Sequence, residues 1–524
     1  MAVNKTTIQI IAVVLLAVVL RFYQLGVNPP SPYWDEAALG YDAYSILKTG
    51  KDFHGNFMPL VAFESFGDYK PSLYFYAAVP SIAVFGLNTF AVRFPSAFFG
   101  SLTVLLVFLL LKSMLPKKLS AVALLAALFL SISPWHILVS RVGFETNLGL
   151  FLLVLGAWLW RKQFLIPAVI ALVAAMYAYH ANRVLVPLLG IAWGLMSWQW
   201  LKSWVKLSVA AVILAVILAL PIINKLNTPE IRKRFEETSA FSDLAPIIKS
   251  NLLITEDGGG LITRLIHHRF WQYLGLAASN YADHFSAQFL FLSGDANPRH
   301  SIQTSGQLYL IFLPLIILGG WHLFRTSRPA FNWLLMWLVL SPVPAALTKA
   351  TPHALRSLPL VLPLVILAAA GFVYLMDKKR LIALVVTLIL LFEFGRFWYS
   401  YQYQYPLIYS SQWQYGYQEL MTFINDHEGD YDRIYVTREL GRPSIYYWFY
   451  SKTDPSLVQA ANSNVPKDQG EYLAFDKLIF GQPPFQPEPK SLVVSPLPLN
   501  NYGNLVLTVN DLSNQPVFYA YEIQ

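Results

Sequence analysis

The chain has 524 residues, enough for two to four soluble domains, yet 56% of them are hydrophobic and only 13% are charged. Water-facing domains carry about a quarter of their residues as charged side chains. With 15% aromatic residues and a mean hydropathy of +0.46, the composition excludes a cytosolic globular enzyme, a disordered chain and a nucleic-acid binder of the basic kind. A polytopic membrane protein remains. Its net charge of +8, from 38 basic and 30 acidic side chains, reads as loop asymmetry across a bilayer. The absence of cysteine removes disulfides, thiolate catalysis and cysteine-metal sites.

Apolar stretches long enough to cross about 30 Å of hydrocarbon predict about eleven membrane helices. They lie near 7–25, 90–111, 119–139, 147–160, 164–181, 184–201, 207–224, 307–324, 330–348, 357–376 and 381–398. The first is read as a retained helix rather than a signal peptide, because Arg21-Phe22-Tyr23 follows it where a small-residue cleavage site would stand. Alternate connections are short and basic: Lys112, Lys117 and Lys118, then Arg161 and Lys162, Lys202 and Lys206, Arg325 and Arg328, and Lys378-Lys379-Arg380. The positive-inside rule makes that side cytoplasmic, with the N-terminus inside and the C-terminus outside. Segments 26–89 and 225–306 and the tail from 399 then face outward. The cytoplasmic loops are too short for a nucleotide site, and neither GxxxxGK[ST] nor GxGxxG occurs. Chemistry is therefore expected on the outer face, on a substrate activated by a membrane lipid.

Residues 1–398 read as the membrane domain and 399–524 as a small soluble α/β domain outside the membrane. In the tail, helices are predicted at 413–427 and 443–450, and strands at 433–437, 491–495, 504–509 and 516–523.

The first outer loop opens PYWDEAALGYDAYSILKTG. It predicts a helix from Asp35 to about Lys48, stopped by Gly50 and lying flat on the membrane. Asp35 and Glu36 suit helix capping, and equally suit a carboxylate that takes a proton from an acceptor hydroxyl. In GDYKPSL, Lys70 precedes Pro71, a residue favoured at helix position N1, so an ammonium ahead of a helix start forms an anion site. Taken alone, Lys70 is more often an interfacial lysine. The third outer turn carries Arg141 and Glu145, an i,i+4 ion pair or a second cation and acid. His180 and Arg183 follow in YAYHANR; GDANPRH brings Asp295, Arg299 and His300 in a turn-forming sequence; and TPHALR brings Lys349, His353 and Arg356.

Charges at so many outer helix ends are costly unless they line a polar cavity. Lys70, Arg141, Arg183, Arg299 and Arg356 suit a phosphodiester leaving group, while Asp35, Glu36 and Glu145 suit acceptor activation or a cation. No HxH or HExxH spacing occurs, so a site built on a metal alone is not expected. Carboxylates such as Asp35 and Glu145 can hold Mg²⁺ or Mn²⁺.

The acid pair Asp35-Glu36 after the first span, Tyr69-Lys70-Pro71 in the same loop and the turn Arg141 to Glu145 resemble the C-type (GT-C) glycosyltransferase superfamily. The likeness is to the bacterial branch related to protein O-mannosyltransferases and the lipid A aminoarabinose transferase, and covers roughly residues 1–400. Arg183, GDANPRH and PHALR are also similar to that branch. The resemblance implies a mainly α, GT-C fold with amphipathic helices in the first outer loop. It implies inverting transfer from a polyprenyl-phosphate sugar to a lipid, protein or polysaccharide acceptor at the outer face of the bacterial inner membrane. Asp35 then corresponds to the first-loop catalytic acid with Glu36 beside it, Glu145 to the second-loop acid, and Lys70, next to Tyr69, to the lysine that meets the lipid phosphate. Arg141, His180, Arg183, Arg299, His300, His353 and Arg356 complete the expected substrate-binding set. One departure is Asp68-Tyr69-Lys70-Pro71-Ser72 in place of the Glu-Lys-Pro-Pro run of the aminoarabinose branch, which leaves lipid A specificity untransferred. The competing class is a transporter or flippase of a lipid-linked saccharide, against which stand the minimal cytoplasmic loops and the lack of an inverted pair of broken helices.

Overall fold

The structure, a computed structural model, describes residues 5–225, 228, 236–499 and 502–524. The chain is mainly helical and divides into two compact units. One holds Met1–Leu20, Phe99–Val139 and Glu145–Phe397; the other holds Arg21–Phe98, Ser140–Phe144 and Trp398–Gln524.

All eleven predicted stretches are occupied by helix. In chain order the first helices are α1 (Lys5–Phe22), α2 (Trp34–Thr49), α3 (Leu73–Phe85), α4 (Thr89–Met114), α5 (Ser120–Ile132), α6 (Pro134–Ser140), α7 (Glu145–Arg161), α8 (Leu165–Ala178) and α9 (Asn182–Met196). Among the described residues, six helices are long and apolar enough to cross a membrane: α1, α4, Val205–Lys225, Arg328–Ala346, Leu358–Lys378 and Arg380–Trp413. A seventh is the pair Lys117–Ile132 and Pro134–Ser140, bent by 58° at Ser133 ahead of Pro134. The helices α3, α8, α9 and Phe312–Thr326 are apolar but shorter, and α7 opens on a charged residue, so the expected count of eleven exceeds the count that length supports. The multi-pass membrane character stands on either count.

Leu358–Lys378 is the centre of the first unit, with 94% of its most apolar window buried. It packs on Phe312–Thr326 through Gly371 and Gly319: a Cβ at Gly319 would overlap the carbonyl of Leu367, and one at Gly371 the carbonyl of Leu315. Small residues at a crossing let two backbones touch where lipid offers no hydrophobic drive. Trp193, Trp333 and Trp337 add a stacked cluster, with Trp193 and Trp333 rings 5.3 Å apart and the Trp337 indole N–H donating to the Pro359 carbonyl at 3.0 Å.

In the second unit, α2 is stopped by Gly50 in the left-handed conformation (φ 72°). It is not an exposed surface helix but is packed into the unit. Residues Glu36 to Ala43 are all buried, with α3 and the helix Pro443–Ser451 packed against it. A hairpin of β1 (Ala62–Ser65) and β2 (Asp68–Pro71) follows, pairing Phe63 with Lys70. Lys70-Pro71 therefore ends a strand instead of opening a helix, and α3 starts two residues later at Leu73, with Ser72 before it. Proline is tolerated there because the strand is at an edge and has no further N–H partner to supply.

The tail carries its predicted elements: helices Tyr417–His427 and Pro443–Ser451 and strands β3 (Arg433–Val436), β8 (Ser491–Ser495), β9 (Asn504–Asn510) and β10 (Pro516–Ile523). Between them lie the short strands β4 (Lys467–Asp468), β5 (Glu471–Tyr472), β6 (Ala474–Phe475) and β7 (Leu478–Phe480), and a helix Pro455–Ala461 capped by the Asp454 carboxylate. The main sheet runs β6-β7-β3-β8-β10-β9, with β3 parallel to both β7 and β8 and the other pairs antiparallel. The tail grips the segment that follows α1. The Tyr446 hydroxyl donates to the Pro32 carbonyl at 3.1 Å, and the Gln459 amide donates to Ser45 Oγ, Thr49 Oγ1 and the Asp52 carbonyl at 2.9–3.0 Å.

Candidate functional site

Asp35 and Glu36 occupy the first turn of α2, where neighbouring residues project about 100° apart. One turns inward and the other outward. Glu36 is fully buried against an equally buried Arg93, which donates from Nε to Oε1 at 2.9 Å and from Nη2 to Oε2 at 3.0 Å. The Gly143 N–H donates to Glu36 Oε1 at 2.8 Å. The remaining Arg93 donors meet the carbonyls of Leu25, Pro29 and Ser31 at 2.7–3.2 Å. A buried pair repays its desolvation only when its other polar atoms are also satisfied. Here that condition is met, and the pair ties the chain at 25–31, 93 and 143 to the root of α2.

Asp35 lies on the open side. Its side chain is 25% exposed, and Oδ2 is 3.4 Å from Lys70 Nζ, which sits 3.3 Å from Asp68 Oδ2. Because strand side chains alternate, Tyr69 and Lys70 in β2 point to opposite faces of the hairpin. Lys70 is thus an ammonium between two partly exposed carboxylates.

Arg141 is buried in the same unit. It donates from Nε to the Tyr401 hydroxyl at 2.9 Å and to the carbonyls of Arg21 and Asn28 at 3.2 and 2.8 Å, with its guanidinium 5.3 Å from the Tyr401 ring centre. Deeper in the loop, Asp42 and Asp52 are buried near His54. Burial, reinforced by the charge of Asp52, lifts the Asp42 carboxyl well above its ordinary range. Burial, with a smaller push from Lys467, drives the His54 imidazole down to about 3. Among the described residues, neither His54 ring nitrogen has a hydrogen-bond partner.

The other expected residues fall in the first unit. Glu145 opens α7, and the next residue, Thr146, donates to the Leu355 carbonyl at 2.9 Å while Trp135 Nε1 donates to the Ala354 carbonyl at 3.1 Å. The start of α7 is thus fastened to the loop holding His353 and Arg356. Arg356 donates to Thr348 Oγ1 at 2.7 Å. Arg183, at the start of α9, donates from Nε to the Met176 carbonyl at 3.3 Å, and its backbone N–H bonds the His180 carbonyl. Arg183 also lines an otherwise apolar groove of about 730 Å³ along α8, α9 and Val205–Lys225. Asp295 accepts from His300 Nδ1 at 3.1 Å and from the Ala354 N–H at 2.7 Å, and the rings of His300 and His353 lie 4.9 Å apart. The Arg299 N–H bonds Asn297 Oδ1. Burial, then the neighbouring His300 and Arg356, depress His353 well below the ordinary imidazole range and keep it neutral. Among the described residues, Asp295, His300 and His353 are the one group of three that can hold a metal ion. Asp35 and Glu145 belong to different units.

Residues 11–228, less than half of the chain, match the family model described as dolichyl-phosphate-mannose-protein mannosyltransferase. A comparison with curated proteins finds no match. Among solved structures, ArnT from Cupriavidus metallidurans bound to undecaprenyl phosphate is similar over 98% of this chain and 98% of its own, with a TM-score of 0.54 at 12% identity. The fold is that of a C-type glycosyltransferase. ArnT from the same organism in the apo state covers 99% of this chain and 98% of its own at a TM-score of 0.52 and 12% identity. The Archaeoglobus fulgidus oligosaccharyltransferase in complex with Zn and sulfate covers 89% of this chain and 58% of its own, at 0.49 and 12%.

Within this C-type fold, sequence reasoning passed over Arg93, Tyr401, Asp42, Asp52, His54 and His284. Arg93 had a usable signal, being an arginine inside the apolar run 90–111, where an unpaired charge is expensive and calls for a named partner. Tyr401 and His284 had none: their partners lie 260 and 69 residues away.

Proposed function

We propose that the protein is an inverting glycosyltransferase that moves a sugar from a polyprenyl-phosphate donor to an acceptor at the outer membrane face. The observation that carries this reading is the Asp35–Lys70 pair, a partly exposed carboxylate 3.4 Å from an ammonium. The family model named for a dolichyl-phosphate-mannose enzyme and the undecaprenyl phosphate bound to ArnT support the donor class.

In the proposed reaction, the acceptor hydroxyl oxygen attacks the anomeric carbon and its proton passes to Asp35. The bond from that carbon to the phosphate oxygen breaks on the opposite face, so the configuration inverts. Charge developing on the leaving phosphate is met by Lys70, whose ammonium is shared between Asp35 and Asp68 beforehand. Glu36 does not touch substrate; with Arg93 it fixes the turn from which Asp35 projects. On the positive-inside reading of the basic loops this chemistry lies outside the inner membrane, and the tail from 399, folded onto the loop after α1, takes part in choosing the acceptor.

The test is sugar transfer from a polyprenyl-phosphate donor by the full chain in nanodiscs. General-base help is worth about 10² to 10⁴ in rate, so Asp35→Asn lowers kcat by that factor while donor binding persists. Lys70→Ala raises the donor KM. Unchanged turnover in Asp35→Asn, or donor translocation without transfer, refutes the assignment; the second outcome marks a flippase.

A further inference from the structure

From the cluster of Asp295, His300 and His353 we infer a three-ligand metal site for a zinc-class ion, built entirely within the first unit and independent of the transferase reading. The three donor atoms lie within 4.8 Å of one another. Metal–ligand bonds of about 2.0–2.1 Å in a tetrahedral site put neighbouring donors about 3.3 Å apart. Asp295 Oδ2 and His300 Nδ1 are already 3.1 Å apart. The His353 ring supplies the third donor, within 4.8 Å of the other two.

The surroundings hold these donors in place. Asp295 Oδ2 is fixed by the Ala354 N–H at 2.7 Å, so the carboxylate is bound to the residue next to His353. Asp295 Oδ1 accepts from the Asn297 N–H at 2.8 Å, and the Gln303 amide donates to the Asp295 carbonyl at 2.6 Å. His284, held through Nδ1 to the Asn280 carbonyl at 2.8 Å, accepts the His353 N–H on its Nε2 at 3.2 Å. His284 thereby spends both nitrogens on positioning and none on the ion. Outer groups that orient ligands in this way are the usual companions of a metal site. Two imidazoles and one carboxylate favour zinc-class ions, since Mg²⁺ and Ca²⁺ demand oxygen ligands. Three protein ligands leave a fourth position open to water or a substrate oxygen.

The full chain, purified in detergent and stripped with chelator, is titrated with Zn²⁺ and Co²⁺. One ion per chain is expected. Affinity should drop by more than about 100-fold in His300→Ala and in His353→Ala, beyond the loss typical of an outer-shell change. His268→Ala, an exposed histidine, should keep it. Because the chain has no cysteine, His300→Cys adds a single thiol, and a thiolate-to-cobalt charge-transfer band reports directly on that position. That band in a protein that melts and elutes like the parent supports the site even where an alanine variant misfolds. A parent protein without stoichiometric uptake, or a folded His300→Cys protein without the band, overturns it and leaves a hydrogen-bonded Asp-His pair.

Discussion

His54 shows how one residue sets a pH response. Its folded pKa of about 3 lies below the ordinary 6.5, so between those values the unfolded chain binds a proton that the folded chain refuses. The stability it contributes is complete above pH 6.5 and is lost as pH falls toward 3, about 2 kcal/mol by pH 5. Asp42 works in the opposite sense. Its raised carboxyl favours the fold at low pH and loses that contribution as pH rises through the folded value. His54→Gln removes only the first effect, so its melting temperature should fall less than that of the parent between pH 7 and pH 5. Equal falls would take His54 out of the acid response. None of this was legible beforehand, because His54 reads in the sequence as one polar residue in a polar loop, and its ring is packed between Phe53 and Tyr472 of the distant tail. Asp35 and Lys70 were legible as chemistry, their types and positions being enough. That they pair was not, since 35 residues and a hairpin separate them.

At the scale of elements, helices with long apolar runs were found in every case, and the strands of the tail with hydrophobic alternation were found too. The strands β4 to β7 escaped because two or three residues are too few to show a period of two. Lys70-Pro71 was misplaced for a different reason. Proline suits a helix start and an edge strand alike, and pairing with β1, which no local rule sees, decided between them. The depth of burial of α2 was not legible, because a helix with three acids and a glycine reads as surface until its partners close over it. The Gly319–Gly371 crossing gives an element-scale test. Gly371→Ala places a methyl against a carbonyl that cannot move without shifting a helix, so a loss of about 1–3 kcal/mol or more is expected. Gly320→Ala, with open space around it, should melt like the parent.

For the whole molecule, composition and loop charge sufficed to identify a multi-pass membrane protein, while the number of spans depends on how short helices are counted. Orientation is open to direct measurement. With no native cysteine, Ser513→Cys should react with a membrane-impermeant maleimide in intact cells, and Lys118→Cys only after permeabilisation. The reverse pattern would invert the proposed topology. The second unit draws on residues 21–98, 140–144 and 398–524, with Gln459 fastened to both ends of the helix-to-loop turn at 45–52. A ribosome adding 5–20 residues per second takes roughly 15 to 60 s to travel from the end of the first of these segments to the start of the last. Throughout that interval the segment bearing the Asp35–Lys70 pair exists without the tail that packs on residues 32–52. The cell therefore makes the half-built site first and completes it last, so premature termination yields a membrane-inserted chain whose charge cluster lacks its support.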